Sequence, residues 1–446
     1  MSFSSSIREN GFWLQDRLQG DSIRKHLIDI SCILERPGSP ETKENVNRAM
    51  TNLLRHVTTT TPYYKKYINR SLKEYPVIDK TIIRESGDAF LSEKYSRHQR
   101  IPNVTSGSTG TPFQTYQNIN KKLRNSADTI YFAGLAGYEI GQRLIYLKIW
   151  AAEKMRRKAA YWLQNIVPVD VIRLDDCAIE ALIRRMEGDR SVFGILGYAS
   201  ALELICRFLD SRQSGPVKAD VRSIIAMSES LNDYTKATME KYFGVPVVSR
   251  YSNLENGIIA QQERSGSGSF LINTASYHVE ILKIDSDDPA SDDEPGRIVV
   301  TDLFNYAMPM IRYDTGDIGV MEKQSTNSDW KYLSKVEGRK LDLLYDTRGR
   351  LVSSYIAYKN MWKYLDIKQY QLIQEGEKEY TFKINAEKSF NRGDQLIKEF
   401  KHILGFDADF KIEYVDEIPL LASGKRKKTV NKYKPGSRQE AGEKIQ

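Results

Sequence analysis

The stretch "SVFGILGYASALELICRFL", residues Ser191–Leu209, contains both halves of the pattern that decides the fold. A short apolar run precedes the turn "GYAS", and an amphipathic helical pattern follows it. The whole stretch is about as long as a bilayer-spanning helix, but Glu203 and Arg207 interrupt it. It therefore predicts a buried strand that leads into a core helix, and no transmembrane segment.

The same alternation of apolar runs and helical patterns continues on both sides of this stretch. "RLIYLKIW" (143–150) and "VRSIIAMS" (221–228) are typical of buried strands, and "DYTKATMEKYFG" (233–244) is typical of a crossover helix. The first hundred residues have a polar, amphipathic helical pattern whose expected role is packing. Together these patterns predict a large layered α/β domain.

The pattern changes towards the C-terminus. "YHVEILKID" and "RIVVTDL" predict a hairpin around an acidic loop, and the last segment has a strand, strand, helix, strand order. We expect this last segment to form a small, separate α+β domain. The boundary is placed near Gly338, so that 1–337 form the N-terminal domain and 338–446 the C-terminal domain.

The composition is typical of a soluble globular protein, with 40% hydrophobic and 28% charged residues among 446. Cys32, Cys177 and Cys206 are scattered, which argues against a disulfide framework or a zinc site and favours a reducing compartment. The N-terminus has no apolar core of the kind a signal peptide needs, so we expect a cytoplasmic protein. The basic tail Gly424–Arg438 is expected to be solvated, because no aromatic nucleic-acid motif accompanies it.

The octapeptide "TSGSTGTP", Thr105–Pro112, combines hydroxyl side chains with glycines. Such a stretch is common in turns and linkers, because hydroxyls compete for backbone hydrogen bonds and glycine supplies positive φ. It is also suited to an anion cradle, in which backbone N–H groups and hydroxyls surround a phosphate. The common nucleotide P-loop is excluded, because no lysine follows Gly110. This loop by itself leaves both interpretations open.

Four further stretches contain polar residues that could take part in catalysis or ligand binding. "RYSNLENG" (250–257) places Glu255, a potential metal ligand, in a turn after a strand, and "RYDTGD" (312–317) ends in Asp317, whose carboxylate could accept two ribose hydroxyls. "EGRKLD" contains Arg339, and "LASGKRK" contains Lys425. Taken singly, each of these is equally explained by a solvated loop or an Asx-type turn.

In this order, the five stretches resemble the signature of the adenylate-forming superfamily, which includes acyl-CoA synthetases, luciferases and peptide-synthetase adenylation domains. "TSGSTGTP" is similar to its phosphate loop, "YSNLE" to its Tyr-Gly-x-Thr-Glu turn and "YDTGD" to its ribose-binding motif. "GRKLD" is similar to its hinge and "ASGK" to its catalytic-lysine motif. The closest branch is the phenylacetate-coenzyme A ligase and CapK-like capsule-biosynthesis group, which "NYAMPMIRYDTGD" and "ILGYASALELI" resemble.

The resemblance implies ATP and Mg²⁺ as cofactors and assigns a role to each motif. Lys425 is the implied catalytic lysine, which bridges the substrate carboxylate and the α-phosphate, and Glu255 is the implied Mg²⁺ ligand. Asp317 holds the ribose and Arg339 assists it, while Tyr251 or its neighbours Ser252 and Asn253 flank the adenine. The β and γ phosphates are held by the loop residues Thr105, Ser106, Gly107, Ser108, Thr109, Gly110 and Thr111. The acyl pocket is expected between about Tyr131 and Asn256, with Tyr198, Ala199 and Tyr251 as candidate wall residues.

The implied reaction is adenylation of a carboxylic acid followed by acyl transfer, with coenzyme A as the default acceptor. In this superfamily the small domain moves between the two steps, so the C-terminal domain is expected to be a mobile lid. One departure is Leu341, which stands where the family usually has an acidic residue or lysine after the hinge arginine. An amide-forming ligase with an amine acceptor and an acidic saccharide or other acid is one alternative. A non-catalytic nucleotide- or polysaccharide-binding relative is the other.

Overall fold

The computed structural model describes residues 3–105, 113–150, 158–264, 266–323, 329–339, 344–352, 361, 364, 366–419 and 428–433. These residues divide into two compact units. The larger unit ends at Val336, and the smaller unit begins at Glu337.

Along the described chain, helices occur before, between and after the strands. In chain order they are α1 (Phe3–Leu18), α2 (Ser22–Glu35), α3 (Pro40–Thr60), α4 (Lys80–Ser86), α5 (Ile119–Leu135), α6 (Lys158–Leu163), α7 (Asp176–Glu187), α8 (Ala199–Ser211), α9 (Asp233–Phe243) and α10 (Gly393–Leu404). Short 3₁₀ turns lie at Pro62–Tyr67, Leu72–Glu74, Gly87–Phe90, Arg97–Gln99 and Val171–Arg173.

The strands of the larger unit form a two-stranded ribbon and one large sheet. They are β1 (Ile101–Thr105), β2 (Phe113–Gln117), β3 (Arg143–Lys148), β4 (Ile166–Asp170), β5 (Val192–Tyr198), β6 (Asp220–Met227), β7 (Val247–Asn253), β8 (Gly257–Gln262), β9 (Phe270–Ile272), β10 (Tyr277–Leu282), β11 (Pro295–Asp302), β12 (Tyr313–Met321) and β13 (Tyr332–Arg339). Within the described ranges, β1 pairs with β2, and the large sheet has the order β10-β11-β12-β13-β9-β8-β7-β6-β5-β3-β4.

One half of the large sheet is the predicted α/β layer. Strands β4, β3, β5, β6 and β7 are parallel, and α7, α8 and α9 are the crossover helices between consecutive strands. Asp175 and Asn232 cap α7 and α9 by accepting backbone N–H groups, which explains where these two helices begin. Ile195 and Leu202, from the stretch Ser191–Leu209, are both buried in the shared core, so this stretch is the predicted strand and core helix.

The other half of the large sheet is antiparallel. The predicted hairpin is present as β10 and β11, with Tyr277 opposite Asp302, and β12 continues the meander. A parallel sheet needs helices on its faces, whereas antiparallel neighbours are joined by short turns. This difference explains why the sequence changes to a pattern of strands and turns between α9 and the end of β13.

A buried polar network joins α5 to the start of the loop after β11. Lys121 and Asp302 form an ion pair of 2.7 Å and are each 0% exposed. Lys121 also donates to the hydroxyl of Tyr277 at 2.9 Å, and Asp302 accepts from the backbone N–H of Phe304 at 2.9 Å and of Asn305 at 3.1 Å. Both charges are therefore paired inside the protein, as buried charges must be.

The smaller unit is an α+β arrangement. Its strands are β14 (Leu344–Tyr345), β15 (Leu351–Val352), β16 (Ile367–Gln374), β17 (Glu379–Ala386), β18 (Asp409–Tyr414) and β19 (Thr429–Asn431). Among the described residues, four of these form a sheet in the order β18-β17-β16-β19, and Phe400 of α10 is in its core with Phe382. The predicted fold class, a large layered α/β unit with a small α+β unit, is confirmed.

No helix in the described parts of the chain has the length and apolarity needed to cross a membrane. The stretch Ser191–Leu209, which is the most apolar candidate in the sequence, is divided between β5 and α8.

Burial of histidines makes the stability of this fold depend on pH. Burial lowers the pKa of His26, His56 and His278 below the ordinary value of 6.5. As the pH falls, the histidines of the unfolded chain therefore bind protons at a higher pH than those of the folded chain. The free energy of unfolding is consequently highest above pH 6.5 and decreases as the pH falls below it. The largest slope is about 1.4 kcal/mol per pH unit for each histidine. Urea unfolding at pH values above and below 6.5 measures the slope.

His56→Gln is the variant that isolates one contribution to this slope. The His56 ring nitrogen lies 2.9 Å from the carbonyl oxygen of Tyr306 and 3.1 Å from the hydroxyl of Thr60. Glutamine keeps a hydrogen-bonding group but does not titrate, so we expect a shallower loss of stability at low pH. An unchanged slope would show that His56 keeps the same pKa in the folded and unfolded chain.

Candidate active site

The turn between β7 and β8 holds Glu255 in a fixed position. The side chain of Asn253 accepts the backbone N–H of Asn256 at 2.8 Å, which closes the turn. Gly257 has a φ of 114°, and a side chain there would lie 3.0 Å from the hydroxyl of Tyr277. Only glycine combines this conformation with this close approach. Glu255 is consequently buried, with 4% of its surface exposed.

The Glu255 carboxylate contacts two side chains that are distant in the sequence. Its Oε1 atom lies 2.5 Å from the ammonium of Lys80 and accepts the hydroxyl of Tyr313 at 3.3 Å. Lys80 reaches this place because Ile78 forms a parallel bridge with Tyr313 at the start of β12. The contact between Lys80 and Glu255 was not predicted from the sequence, because a lysine that follows a helix N-cap carries no local signal of it.

A second group of polar side chains lies around Asp317 in β12. The hydroxyl of Tyr251 donates to Asp317 Oδ2 at 2.8 Å and also lies 3.1 Å from the hydroxyl of Thr315. The Thr315 hydroxyl donates to the carbonyl of Ile298 at 3.0 Å. Gly316, with a φ of 79°, allows the strand to turn at this point. Asp317 is thus oriented by its neighbours and remains an acceptor.

Two tyrosines connect the predicted motifs. Tyr251 of β7 contacts Asp317, and Tyr313 of β12 contacts Glu255. In the sheet order β7 and β12 are separated by β8, β9 and β13, so these side chains meet across strands that are not neighbours. Two of the stretches singled out in the sequence, Arg250–Gly257 and Arg312–Asp317, are therefore brought together in space.

Both tyrosines keep their protons. Burial, reinforced by the charge of Asp317, raises the pKa of Tyr251 well above its ordinary value. Burial and the charge of the neighbouring Glu255 likewise raise the pKa of Tyr313 well above its ordinary value. Each phenol is therefore a permanent hydrogen-bond donor to its carboxylate.

The candidate acyl-pocket residues lie at the carboxyl ends of the parallel strands. Tyr198 ends β5 and is half-buried, whereas Ala199 begins α8 and is buried in the hydrophobic core. The backbone N–H of Ser200 in the first turn of α8 donates to Glu229 at 2.9 Å. This edge of an open α/β sheet is where ligands usually bind.

The remaining predicted residues are only partly within the described chain. Ser252 and Asn253 end β7, Thr105 ends β1 and Arg339 ends β13. The loop residues Ser106, Gly107, Ser108, Thr109, Gly110 and Thr111, together with Leu341 and Lys425, lie outside the described residues.

Comparison with known proteins finds similarity in part of the sequence and in the fold. Residues 344–432 match the CapK C-terminal domain family. Protein CapK of Staphylococcus aureus is 22% identical over 385 residues, which cover 83% of this chain and 82% of that protein. The structure of 2-hydroxyisobutyryl-CoA ligase in the postadenylation state, in complex with R3-HIB-AMP, superposes with a TM-score of 0.67 at 12% identity and covers 88% of this chain and 90% of that one.

The chain has the adenylate-forming fold, and its C-terminal residues are similar to the CapK C-terminal domain. This confirms the resemblance seen in the sequence, including its CapK-like branch. The amide bond synthetase McbA from Marinactinospora thermotolerans also has a similar fold, with a TM-score of 0.55 and 14% identity over 75% of this chain and 69% of that one.

The turn between β7 and β8 carries side chains of the kind that could hold a divalent cation. Both amide atoms of the Asn256 side chain are buried and have no hydrogen-bond partner in the described structure, and the preceding residue is the carboxylate Glu255. Carboxylate and amide oxygens are ligands of Mg²⁺, which usually takes few protein ligands and several from phosphates and water. No cluster of three or more His, Cys, Asp or Glu side chains that could hold a metal ion is found among the described residues.

Proposed function

We propose that this chain uses ATP to adenylate a carboxylic acid and then transfers the acyl group, with coenzyme A as the default acceptor. The observation that carries the proposal is the pairing of Tyr251 with Asp317 and of Tyr313 with Glu255, which joins two sequence motifs into one polar site. The adenylate-forming fold supports it, since 2-hydroxyisobutyryl-CoA ligase has been captured with an acyl adenylate.

In the proposed first step, a carboxylate oxygen of the acid attacks the α-phosphorus of ATP. The new C–O–P anhydride bond forms as the bond to the bridging oxygen breaks, and pyrophosphate leaves. Such a substitution is catalysed mainly by positioning and by stabilisation of charge. A bound Mg²⁺ ion would neutralise phosphate charge, and Glu255 with Asn256 would hold it.

The residues of the chain have separate proposed tasks in that step. Asp317 accepts the ribose hydroxyls and Tyr251 fixes its carboxylate, while Arg339 assists. The loop Ser106–Thr111 binds the β and γ phosphates through hydroxyls and backbone N–H groups. Lys425 stabilises the negative charge shared by the substrate carboxylate and the α-phosphate. We further propose that the unit from 338 onward moves between the two half-reactions.

ATP–pyrophosphate exchange over a panel of aryl, fatty and sugar carboxylic acids tests the proposal. Exchange measures formation of the acyl adenylate without reference to the acceptor. We expect exchange that depends on the acid and on Mg²⁺. Measurable ATP binding with no exchange for any acid would favour a non-catalytic nucleotide-binding protein.

Amide formation is the second candidate function, because the amide bond synthetase McbA shares the fold. The two functions differ only in the nucleophile that attacks the acyl carbonyl, a thiol or an amine. Adding coenzyme A or a set of amines to preformed acyl-AMP and following AMP release distinguishes them. Faster release with coenzyme A would establish the ligase that is proposed by default.

Asp317→Asn is expected to raise the KM for ATP by about ten- to a hundredfold, the cost of a hydrogen bond to a charged group. Asparagine keeps the shape and can still accept the Tyr251 hydroxyl, so the fold is expected to survive. Pyrophosphate exchange at varied ATP concentration measures the effect. Asp287→Asn is the matched control, because Asp287 is an exposed carboxylate in the loop between β10 and β11 that pairs with Arg297. Equal KM values of the two variants for ATP would contradict the proposed contact between Asp317 and ATP.

A further inference from the structure

Arg250, the residue of β7 that precedes Tyr251, is a buried cation without an anionic partner among the described residues. It is 9% exposed, and its Nε atom donates to the side chain of Gln261 at 2.8 Å. Its Nη2 atom is buried and has no hydrogen-bond partner, and no described carboxylate lies within ion-pair distance. Burial lowers the pKa of Arg250 to about 10, so the side chain is still charged at neutral pH.

An unpaired buried charge costs several kcal/mol, and folded proteins normally compensate it. The same chain shows this compensation elsewhere, since the buried Lys121 is paired with Asp302 at 2.7 Å. Glu229, the acidic residue at the end of the adjacent strand β6, accepts the backbone N–H of Ser200. Among the described residues Arg250 is therefore the exception, since the other buried Lys and Arg side chains, Lys121, Arg124 and Arg312, are each paired with a carboxylate.

The position of Arg250 indicates what kind of partner is missing. In the paired register of the parallel strands, Tyr146 is aligned with Val248, so Tyr146 and Arg250 lie on the same face of the sheet. Gln261 binds the Nε edge from β8 on one side, and the charge of Arg250 influences Tyr146 in β3 on the other. Arg250 is aligned in register with Met227 at the end of β6, and Met227 with Tyr198 at the end of β5, so Arg250 lies at the carboxyl-end edge of the parallel strands.

Aromatic side chains surround this edge of the sheet. Tyr146 packs edge-on against Trp150 with ring centroids 5.4 Å apart, and Trp150 packs against Tyr161 at 5.1 Å. Tyr198, at the carboxyl end of the neighbouring strand β5, lies at the same edge of the sheet. The ammonium of Lys148 in β3 lies 4.3 Å from the ring centroid of Tyr146 and 4.2 Å from that of Trp150. A mostly aromatic wall with cations beside it is the composition of a site that binds a small organic anion.

We propose that Arg250 binds a second carboxylate of the acid, so that the substrate is a dicarboxylic acid rather than a plain fatty or aryl acid. This inference rests on the proposed function, because it concerns the acid that is adenylated. One carboxylate of the substrate reacts with ATP, and the other forms a charge-assisted, bidentate contact with the guanidinium. The aromatic residues contact the carbon chain between them.

The test compares matched pairs of acids, such as succinate with butyrate and adipate with hexanoate, in ATP–pyrophosphate exchange. At constant ionic strength, we expect kcat/KM to favour the diacid of a pair by about ten- to a hundredfold. Arg250→Met keeps the volume and removes the charge, and is expected to reduce this ratio to about one. Arg222→Met, an exposed arginine on the neighbouring strand β6, is the matched control and is expected to keep the ratio.

The ratio of kcat/KM for the diacid to that for the monoacid would not change if the role of Arg250 were merely structural. A preference for the monoacid in every pair, or an unchanged ratio in Arg250→Met, would overturn the inference. If Arg250→Met does not fold, the ratio of kcat/KM for the two acids is compared between the wild-type protein and Arg250→Lys. Lysine keeps the charge, so this variant is expected to retain a reduced preference for the diacid.

Failure of the proposed function is distinguished by direct binding. If no acid supports exchange, saturation-transfer NMR with adipate and hexanoate still measures whether the protein selects the diacid. Selective binding of adipate that is lost in Arg250→Met supports an anion site in a protein that does not adenylate. Equal binding of both acids, or binding of neither, contradicts the site itself.

Discussion

Replacing Lys425 with alanine is expected to lower ATP–pyrophosphate exchange by about a hundredfold to a thousandfold, the usual loss when one charge-stabilising group is removed. In the proposed reaction, the substrate carboxylate approaches an α-phosphate that is also negative. A compact ammonium group between them offsets this repulsion, and alanine cannot. Exchange with the best acid of the panel measures the loss.

The matched control for Lys425 is Lys427→Ala, which removes the same charge from the same basic segment. We expect this control to retain exchange and the Lys425 variant to retain its melting temperature. Transfer from preformed acyl-AMP to the acceptor is also expected to survive in Lys425→Ala, because the proposed role belongs to the first half-reaction. A large drop in melting temperature would assign Lys425 a structural role instead.

Lys121→Met is expected to lower the free energy of unfolding of the larger unit by about 3–5 kcal/mol, the cost of leaving one member of a buried ion pair unpaired. Lys121 and Asp302 are both 0% exposed, so water cannot replace the missing charge. The same change also removes the donor to Tyr277. Urea unfolding followed by tryptophan fluorescence measures the effect.

The double variant Lys121→Met/Asp302→Asn shows whether the loss comes from the unpaired charge. Asparagine can still accept the two backbone N–H groups that Asp302 binds, so the double variant is expected to be more stable than Lys121→Met. Lys65→Met breaks an exposed ion pair with Glu93 and is expected to cost less than about 1 kcal/mol. A double variant as unstable as the single one would mean that packing, not charge, explains the loss.

The elements of the fold could be predicted because their signals are local. Hydrophobic periodicity identified β5, α8 and the hairpin β10–β11, and the change of pattern near Gly338 indicated a separate α+β unit. The motifs of the candidate site were recognisable for a related reason, since each is a short turn that follows a strand. The sequence therefore indicated Tyr251, Glu255 and Asp317 without showing what they contact.

The contacts that define the site could not be predicted in the same way. Lys80 meets Glu255 only because the segment before α4 pairs with β12, which is a long-range choice of the fold. Similarly, nothing in "SRYSN" indicates that Arg250 is buried without a carboxylate, because a cation in a polar stretch is usually solvated.

The sequence by itself determined the fold class, the order of the motifs and the residue types that the proposed chemistry on ATP requires, because helix caps, strand alternation and turns are properties of neighbouring residues. Only the tertiary structure decided that Tyr251 reaches Asp317 across three intervening strands, that Lys121 is paired with Asp302, and that Arg250 has no such partner among the described residues. The physical reason is that pairing and desolvation depend on which strands are adjacent and which faces are covered. These are results of the whole fold, and no single stretch of the chain contains them.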